Sequence, residues 1–169
     1  DKVELFDDGT LNSEGKDIVV IGGGDTAMDC VRTSIRQNAK SVKCLYRRDK
    51  ENMPGSAREV GNAEEEGVEF VWLSSPKEFV GKNKVESLVV DKIKLGEPDE
   101  SGRRKPEIQN DSEFNIKADI VIKALGFDAE DLPNLFDSKD LQVTKWGTLK
   151  VDFDTMESNL SGVFAAGDI

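Results

Sequence analysis

A chain of 169 residues, 37% hydrophobic and 34% charged, has the make-up of one compact domain that folds on its own core. Its formal net charge of −11, from 23 basic and 34 acidic residues, repels nucleic acid and anionic membrane and excludes both as partners. With no histidine, two cysteines that form no CxxC pair, and no apolar run near the roughly 20 residues of a bilayer span, neither a metal centre nor a transmembrane helix is expected.

Residues 1–16 are polar and turn-rich (Asp7-Asp8-Gly9, then Asn12 to Gly15) and predict a linker. Asp17 to Ile21 (DIVVI) is β-branched without alternation, the pattern of a strand buried on both faces. Gly22-Gly23-Gly24 breaks it, and from Asp25 the period becomes helical. Ala27, Cys30, Val31, Ser34 and Ile35 share one stripe, while Asp29, Arg32 and Arg36 face away from it. The helix fades near Asn38, and Ser41 to Tyr46 (SVKCLY) reads as a second strand. Strand, helix and strand within about thirty residues make a βαβ unit, for which a right-handed crossover is expected.

Pro54-Gly55-Ser56 punctuates the chain, with Ser56 and Glu59 spaced as a capping box. Ala57, Val60 and Ala63 give the next helix a narrow apolar face, and Gly67 ends it. Glu64-Glu65-Glu66 stands at its C-terminal end, where the helix dipole disfavours anions; a solvated face is the reading the sequence allows. Val68 to Leu73 (VEFVWL) is the third strand. Glu78 to Val80, Val85 to Leu95 and Glu113 to Ile116 predict an antiparallel meander on one face of the sheet. Gly96 to Ser112 is almost devoid of apolar residues and predicts a mobile loop. Asp119 to Ala124 is another buried strand, and Leu149 to Val151 and Val163 to Ala166 close the series. The two cysteines, Cys30 and Cys44, read as small core hydrophobes, and a reduced, cytoplasmic protein is expected.

Gly22-Gly23-Gly24-Asp25-Thr26-Ala27 matches G-x-G-x-x-A, a dinucleotide fingerprint, between a predicted strand and a predicted helix. Gly22 permits the tight turn, Gly24 lets a pyrophosphate approach the backbone, and Ala27 lets helix and strand pack closely. The helix N-terminus offers free N–H groups to the phosphates, and Thr26 can add a hydroxyl. Asp25 is unexpected beside an anion: capping the helix and meeting a ribose hydroxyl are both open to it.

The end of the second strand decides which dinucleotide fits. An acid there accepts from a ribose 2′-hydroxyl, whereas arginine accommodates a 2′-phosphate. Here the position reads Tyr46-Arg47-Arg48, with Asp49 following. In an acidic chain these guanidinium groups form the local cationic pocket that a phosphate requires, which points to NADP(H). The turn Ala124-Leu125-Gly126 lies at a strand's C-terminal end, where open α/β sheets bind ligands.

GVFAAGD (Gly162 to Asp168) resembles the second FAD signature of flavoproteins with two dinucleotide domains. Taken with GGGDTAMDCVR, LYRRDKENMPGSAREVGNAEEEGVEF and ADIVIKALGF, the order resembles the small subunits of glutamate synthases, from about Lys16 to Ile169. The fold implied is α/β: a Rossmann-like parallel sheet with flanking helices and an antiparallel meander, of the FAD/NAD(P)-binding type. The resemblance implies that Gly22 to Ala27 cradle the NADPH pyrophosphate, Arg47 and Arg48 hold the 2′-phosphate, and Ala124 to Gly126 lie near the nicotinamide. It assigns Gly167 and Asp168 to the FAD site. It also implies electron flow from NADPH to FAD, then through iron–sulfur clusters to a large subunit that makes glutamate.

Only one glycine-rich turn is present and no cysteine-rich segment, so the expectation is an excised domain that binds NADPH but holds neither flavin nor cluster. Residues 1–16 would then link from one half of an FAD domain, 17–151 form the NADP(H) domain, and 152–169 begin the second FAD half. No catalytic side chain is expected, since cofactors carry hydride chemistry. Competing readings are the NADPH module of another ferredoxin- or pyrimidine-linked reductase, and a nucleotide-sensing or subunit-docking module. A methyltransferase is disfavoured by Arg47-Arg48, and a thioredoxin-reductase-like assignment by the missing CxxC.

Overall fold

A computed structural model of the chain describes residues 11–98, 104–126 and 128–167. It divides into two compact units, Asp1–Gly126 and Phe127–Ile169. In chain order the first unit holds β1 (Asp17–Ile21), α1 (Asp25–Arg36), β2 (Ser41–Leu45), α2 (Ala57–Glu65) and β3 (Glu69–Val71). These are followed by β4 (Ser74–Val80), β5 (Ser87–Pro98), β6 (Arg104–Ile108), β7 (Phe114–Lys117) and β8 (Ile120–Lys123).

The β-branched run of β1 forms because both its faces are covered. It lies between β2 and β8 in a parallel sheet of order β3-β2-β1-β8, with Ile18 opposite both Val42 and Ile120. Alternation sends Ile18 and Val20 toward α1 and α2, where they pack with Ala27, Met28, Val31, Val60 and Ala63. Val19 and Ile21 point the other way, onto Leu88, Val90 and Ile116 of the antiparallel layer. In that layer β5 is central, pairing with β4, β6 and β7. The expected α/β fold, parallel sheet with flanking helices and meander, is the one observed.

Several local readings need correction. The polar stretch Gly96 to Ser112 is not simply a loop, because Arg104–Ile108 pairs with β5 and Arg104 donates to the carbonyls of Gly96 and Leu95. The strand carries no apolar signal because nearly all of it faces solvent; ladder hydrogen bonds, not burial, hold it. The third strand stops at Val71 rather than Leu73. Leu73 adopts φ +49°, turning the chain out of the parallel sheet and into β4.

Arg32 is half-buried and Arg36 exposed, and each is paired. Both reach Glu66, and Arg32 also pairs with Glu59, so the acidic end of α2 is drawn onto α1. These guanidinium groups hold the Glu66 carboxyl below the usual carboxylate range, Arg32 most of all. That contact accounts for Glu66 at the helix C-terminus, and Lys50 Nζ meets Glu64 at 2.7 Å. Residues 11–16, read as linker, are bonded to the end of α1: Ser13 N–H donates to Gln37 Oε1 and Gly15 N–H to the Asn38 carbonyl.

The second unit has one short helix, α3 (Leu132–Leu135), capped by the Asp131 side chain and invisible to periodicity at that length. Leu149 to Val151 and Val163 to Ala166 contribute isolated bridges, not strands. Side-chain hydrogen bonds from Asn159 and to Asp152 set these turns in place of ladders. Leu132 and Leu141 are its buried apolar residues, and Phe153 stands 84% exposed. The boundary expected at residue 151 falls within this unit. No helix among the described residues is long and apolar enough to cross a membrane.

Candidate functional site

At the C-terminal ends of β1, β2 and β8 a cleft of about 820 Å³ opens. It is lined by Gly22, Gly23, Gly24 and Thr26, by Tyr46, Arg47 and Arg48, and by Ala124, Leu125 and Gly126. Three motifs far apart in the chain thus meet, because parallel strands deliver their following loops to one edge.

Each glycine of the turn answers a different neighbour. Gly22 has φ +149°, and a Cβ there would stand 2.1 Å from the Ala124 carbonyl oxygen, so β8 can end against the turn only if this residue is glycine. A Cβ on Gly23 would stand 2.4 Å from the Tyr46 ring, which therefore lies directly on the backbone. Gly24 is different: a Cβ there would meet nothing within 4 Å. Its openness leaves the backbone accessible from the cleft. Gly24 is also the N-cap of α1, with no side chain capping the helix, and Thr26, its second residue, lines the cleft. Ala27 is fully buried, in its expected packing role.

Below the turn, the Cys44 thiol donates to the Gly22 carbonyl at 3.4 Å, and burial pushes its pKa up to about 12. Burial and then Asp29 raise that of Cys30 as well, so both thiols behave as core groups.

Arg47 is exposed and Arg48 half-buried. Among the described residues neither meets a carboxylate, and Arg48 Nε is buried without a hydrogen-bond partner. Asp49, the acid next to them, is engaged elsewhere: its Oδ1 accepts from the Asn52 backbone N–H at 3.0 Å and from the Asn52 side chain. In a chain of net charge −11 this leaves the cleft's cations free of nearby acids apart from Glu51 at its rim.

The sequence reading missed one wall. Glu51 to Pro54 and Ser74 to Pro76 also line the cleft. Tyr46 Oη donates to the Asn52 carbonyl at 3.0 Å, and Gly55 N–H donates to the Gly23 carbonyl at 2.8 Å. Pro54-Gly55 had been read as punctuation; the signal was an aromatic at the strand end followed by a glycine that must approach another glycine's backbone.

Asp25, grouped with the turn in the sequence, does not line the cleft. It does not cap α1; its Oδ1 accepts instead from Ser56 N–H at 2.9 Å. Gly167 belongs to the second unit, where it is exposed with φ +87°, and Asp168 lies outside the described residues. Among the described residues no group of histidine, cysteine and acid side chains could hold a metal.

The family model for pyridine nucleotide-disulphide oxidoreductases matches residues 2–169. The chain belongs to this family. It is 60% identical over 169 residues to the glutamate synthase [NADPH] small chain of Azospirillum brasilense, covering all of this chain and 35% of that protein. With the glutamate synthase [NADPH] small chain of Escherichia coli K12 it is 56% identical over 126 residues, 73% of this chain and 27% of that one. The chain is therefore a homologue of those small chains, and spans about a third of their length.

Among solved structures, thioredoxin reductase of Lactococcus lactis superposes with a TM-score of 0.71 at 28% identity, over 97% of this chain and 47% of that one. Thioredoxin reductase of T. acidophilum does so with a TM-score of 0.74 at 21% identity, over 96% and 47%, which speaks to the fold alone. This corrects the weight given to the missing CxxC. The pair bears on disulfide chemistry, whereas the family fold rests on the glycine turn and the two packed layers.

Proposed function

We propose that the chain is the NADP(H)-binding part of a flavin-dependent oxidoreductase of the glutamate synthase small-chain type. One observation carries the reading: a half-buried guanidinium whose Nε lacks a partner faces the same cleft as an uncapped helix N-terminus. A buried N–H left unpaired costs about 1–3 kcal/mol, so a site of this kind suits an anion that completes it. A pyrophosphate matches the open backbone at Gly24, and a further phosphate matches Arg47 and Arg48.

In this reading the backbone from Gly22 to Gly24 and the N–H groups at the start of α1 hold the pyrophosphate, with Thr26 adding a hydroxyl. Arg47 and Arg48 take the 2′-phosphate, and Ala124, Leu125 and Gly126 flank the nicotinamide end. When bound, the nicotinamide supplies a hydride to a flavin. The residues of this chain position it; none is required to move a proton. Gly167 and Asp168 are proposed for the FAD side. The onward path, through iron–sulfur clusters to a glutamate-forming large subunit in the cytoplasm, is proposed for the whole protein by its likeness to the small chains.

Calorimetric titration with NADPH and NADH tests the core of this. Arg47→Ala/Arg48→Ala should weaken NADPH about ten- to 150-fold, the worth of one charged hydrogen bond or more, and leave NADH nearly unchanged. Equal affinity of the wild-type chain for both nucleotides would remove the case for NADP.

A further inference from the structure

We infer that Asp25 is a positioning residue: from outside the cleft, its carboxylate holds the segment 53–56 against the glycine turn and sets the width of the nucleotide slot. The inference rests on the proposed nucleotide reading and deepens it.

The geometry begins at α2. Ser56 caps this helix, its Oγ accepting from Glu59 N–H at 3.3 Å. In a self-contained capping box the Glu59 carboxylate would return the favour to Ser56 N–H. Here Arg32 takes that carboxylate, so the box is half made. Asp25 supplies the missing acceptor from the first residue of α1, 31 positions away. Its carboxylate thus sits where the N-terminal ends of α1 and α2 both favour negative charge.

The segment between is pinned three times. Tyr46 Oη holds the Asn52 carbonyl, the Gly23 carbonyl accepts from Gly55 N–H, and Asp25 accepts from Ser56 N–H. The fit at Gly55 is close, since a Cβ there would stand 3.1 Å from the Gly23 oxygen. Met53 and Pro54, just before the tied pair, form the wall facing the turn. Tyr46 lines the cleft and the Gly23 carbonyl is backbone; Asp25 is the anchor that can be removed without touching a lining side chain.

Titration of the 169-residue chain with NADPH and with NADH separates the possibilities. Asp25→Ala should weaken both nucleotides equally, about two- to ten-fold, the worth of one ordinary hydrogen bond. Asp25→Asn keeps the acceptor oxygen and should restore wild-type affinity. Ser56→Pro removes the donor at a φ of −61° that proline accepts, and Ser56→Ala controls for the lost hydroxyl. Relative to that control, Ser56→Pro should match Asp25→Ala, and combining the two should add nothing. Melting temperatures taken alongside show whether each variant is folded at the titration temperature. Asparagine weakening binding as much as alanine, an inert Asp25→Ala, or additive effects with Ser56→Pro would each overturn the inference while leaving the arginine test standing. A wild-type chain that binds neither nucleotide overturns both.

Discussion

At the two ends of the parallel sheet, β1, β2 and the chain around β8 treat their polar groups in opposite ways. At the N-terminal ends of β1 and β2 the buried carboxylate is paired, although Glu66 Oε2, just before β3, is buried without a partner among the described residues. The buried Asp17 carboxylate accepts from Lys117 Nζ at 2.7 Å and from Ser41 Oγ at 2.8 Å, with Lys40 at 3.6 Å, while Asp17 N–H donates to Asp119. The Lys117 hydrogen bond, then that of Ser41, hold the Asp17 carboxyl below its usual range. At the C-terminal ends the helix is uncapped, Gly24 is bare, and Arg48 Nε has no partner among the described residues. One end surrounds its buried carboxylate with cations and a hydroxyl; the other leaves a buried guanidinium N–H open beside bare backbone. An unsatisfied buried group points to a candidate ligand site only where the fold also collects a cleft and open backbone around it.

The contrast can be broken most forcefully at Gly22. Gly22→Ala places a methyl 2.1 Å from the Ala124 oxygen at a positive φ, and should cost about 3 kcal/mol or more in chemical denaturation. Gly24→Ala, two residues on, meets open space; it should cost about 1 kcal/mol or less of stability yet weaken NADPH about ten-fold by blocking the backbone approach. If both variants lose stability alike, the division of roles within the turn is wrong.

Lys117→Met sharpens the comparison from the opposite end. A carboxyl whose folded pKa is depressed contributes stability that is full above its unfolded value, about 3.9, and is lost as pH falls toward the folded value. Removing Lys117 lifts the Asp17 pKa toward normal, so acid unfolding followed by circular dichroism should begin at a higher pH. NADPH affinity at neutral pH should not move. The smallest effect is chemical: Cys44, with a pKa of about 12, should resist alkylation at pH 8 in the folded chain and react once denatured.

Much of this was written in local pattern. The unbroken apolar run of β1, the stripe on α1 and the Ser56 cap were all visible, because burial on both faces, helical period and capping each leave a mark at short range. Gly24 and the two arginines could be named as candidates for the same reason. Other features gave no local sign. β6 is held by ladder bonds on an exposed edge, and its residues look like any solvated loop. The partners of Glu66 and of Asp25 lie across from them on other helices, beyond the reach of periodicity.

The sequence by itself therefore determined the class of fold, the glycine turn that matches a dinucleotide fingerprint and the absence of an acid at the end of the second strand. Tertiary structure alone decided which charges cancel: Glu66 goes to Arg32 and Arg36, Asp25 to Ser56, Asp49 to Asn52, and Arg48 to none of the described residues. The physical reason is range. Backbone propensity and apolar period act over a few residues, whereas a charge is satisfied or left free only by what the packed layers bring within about 3 Å of it.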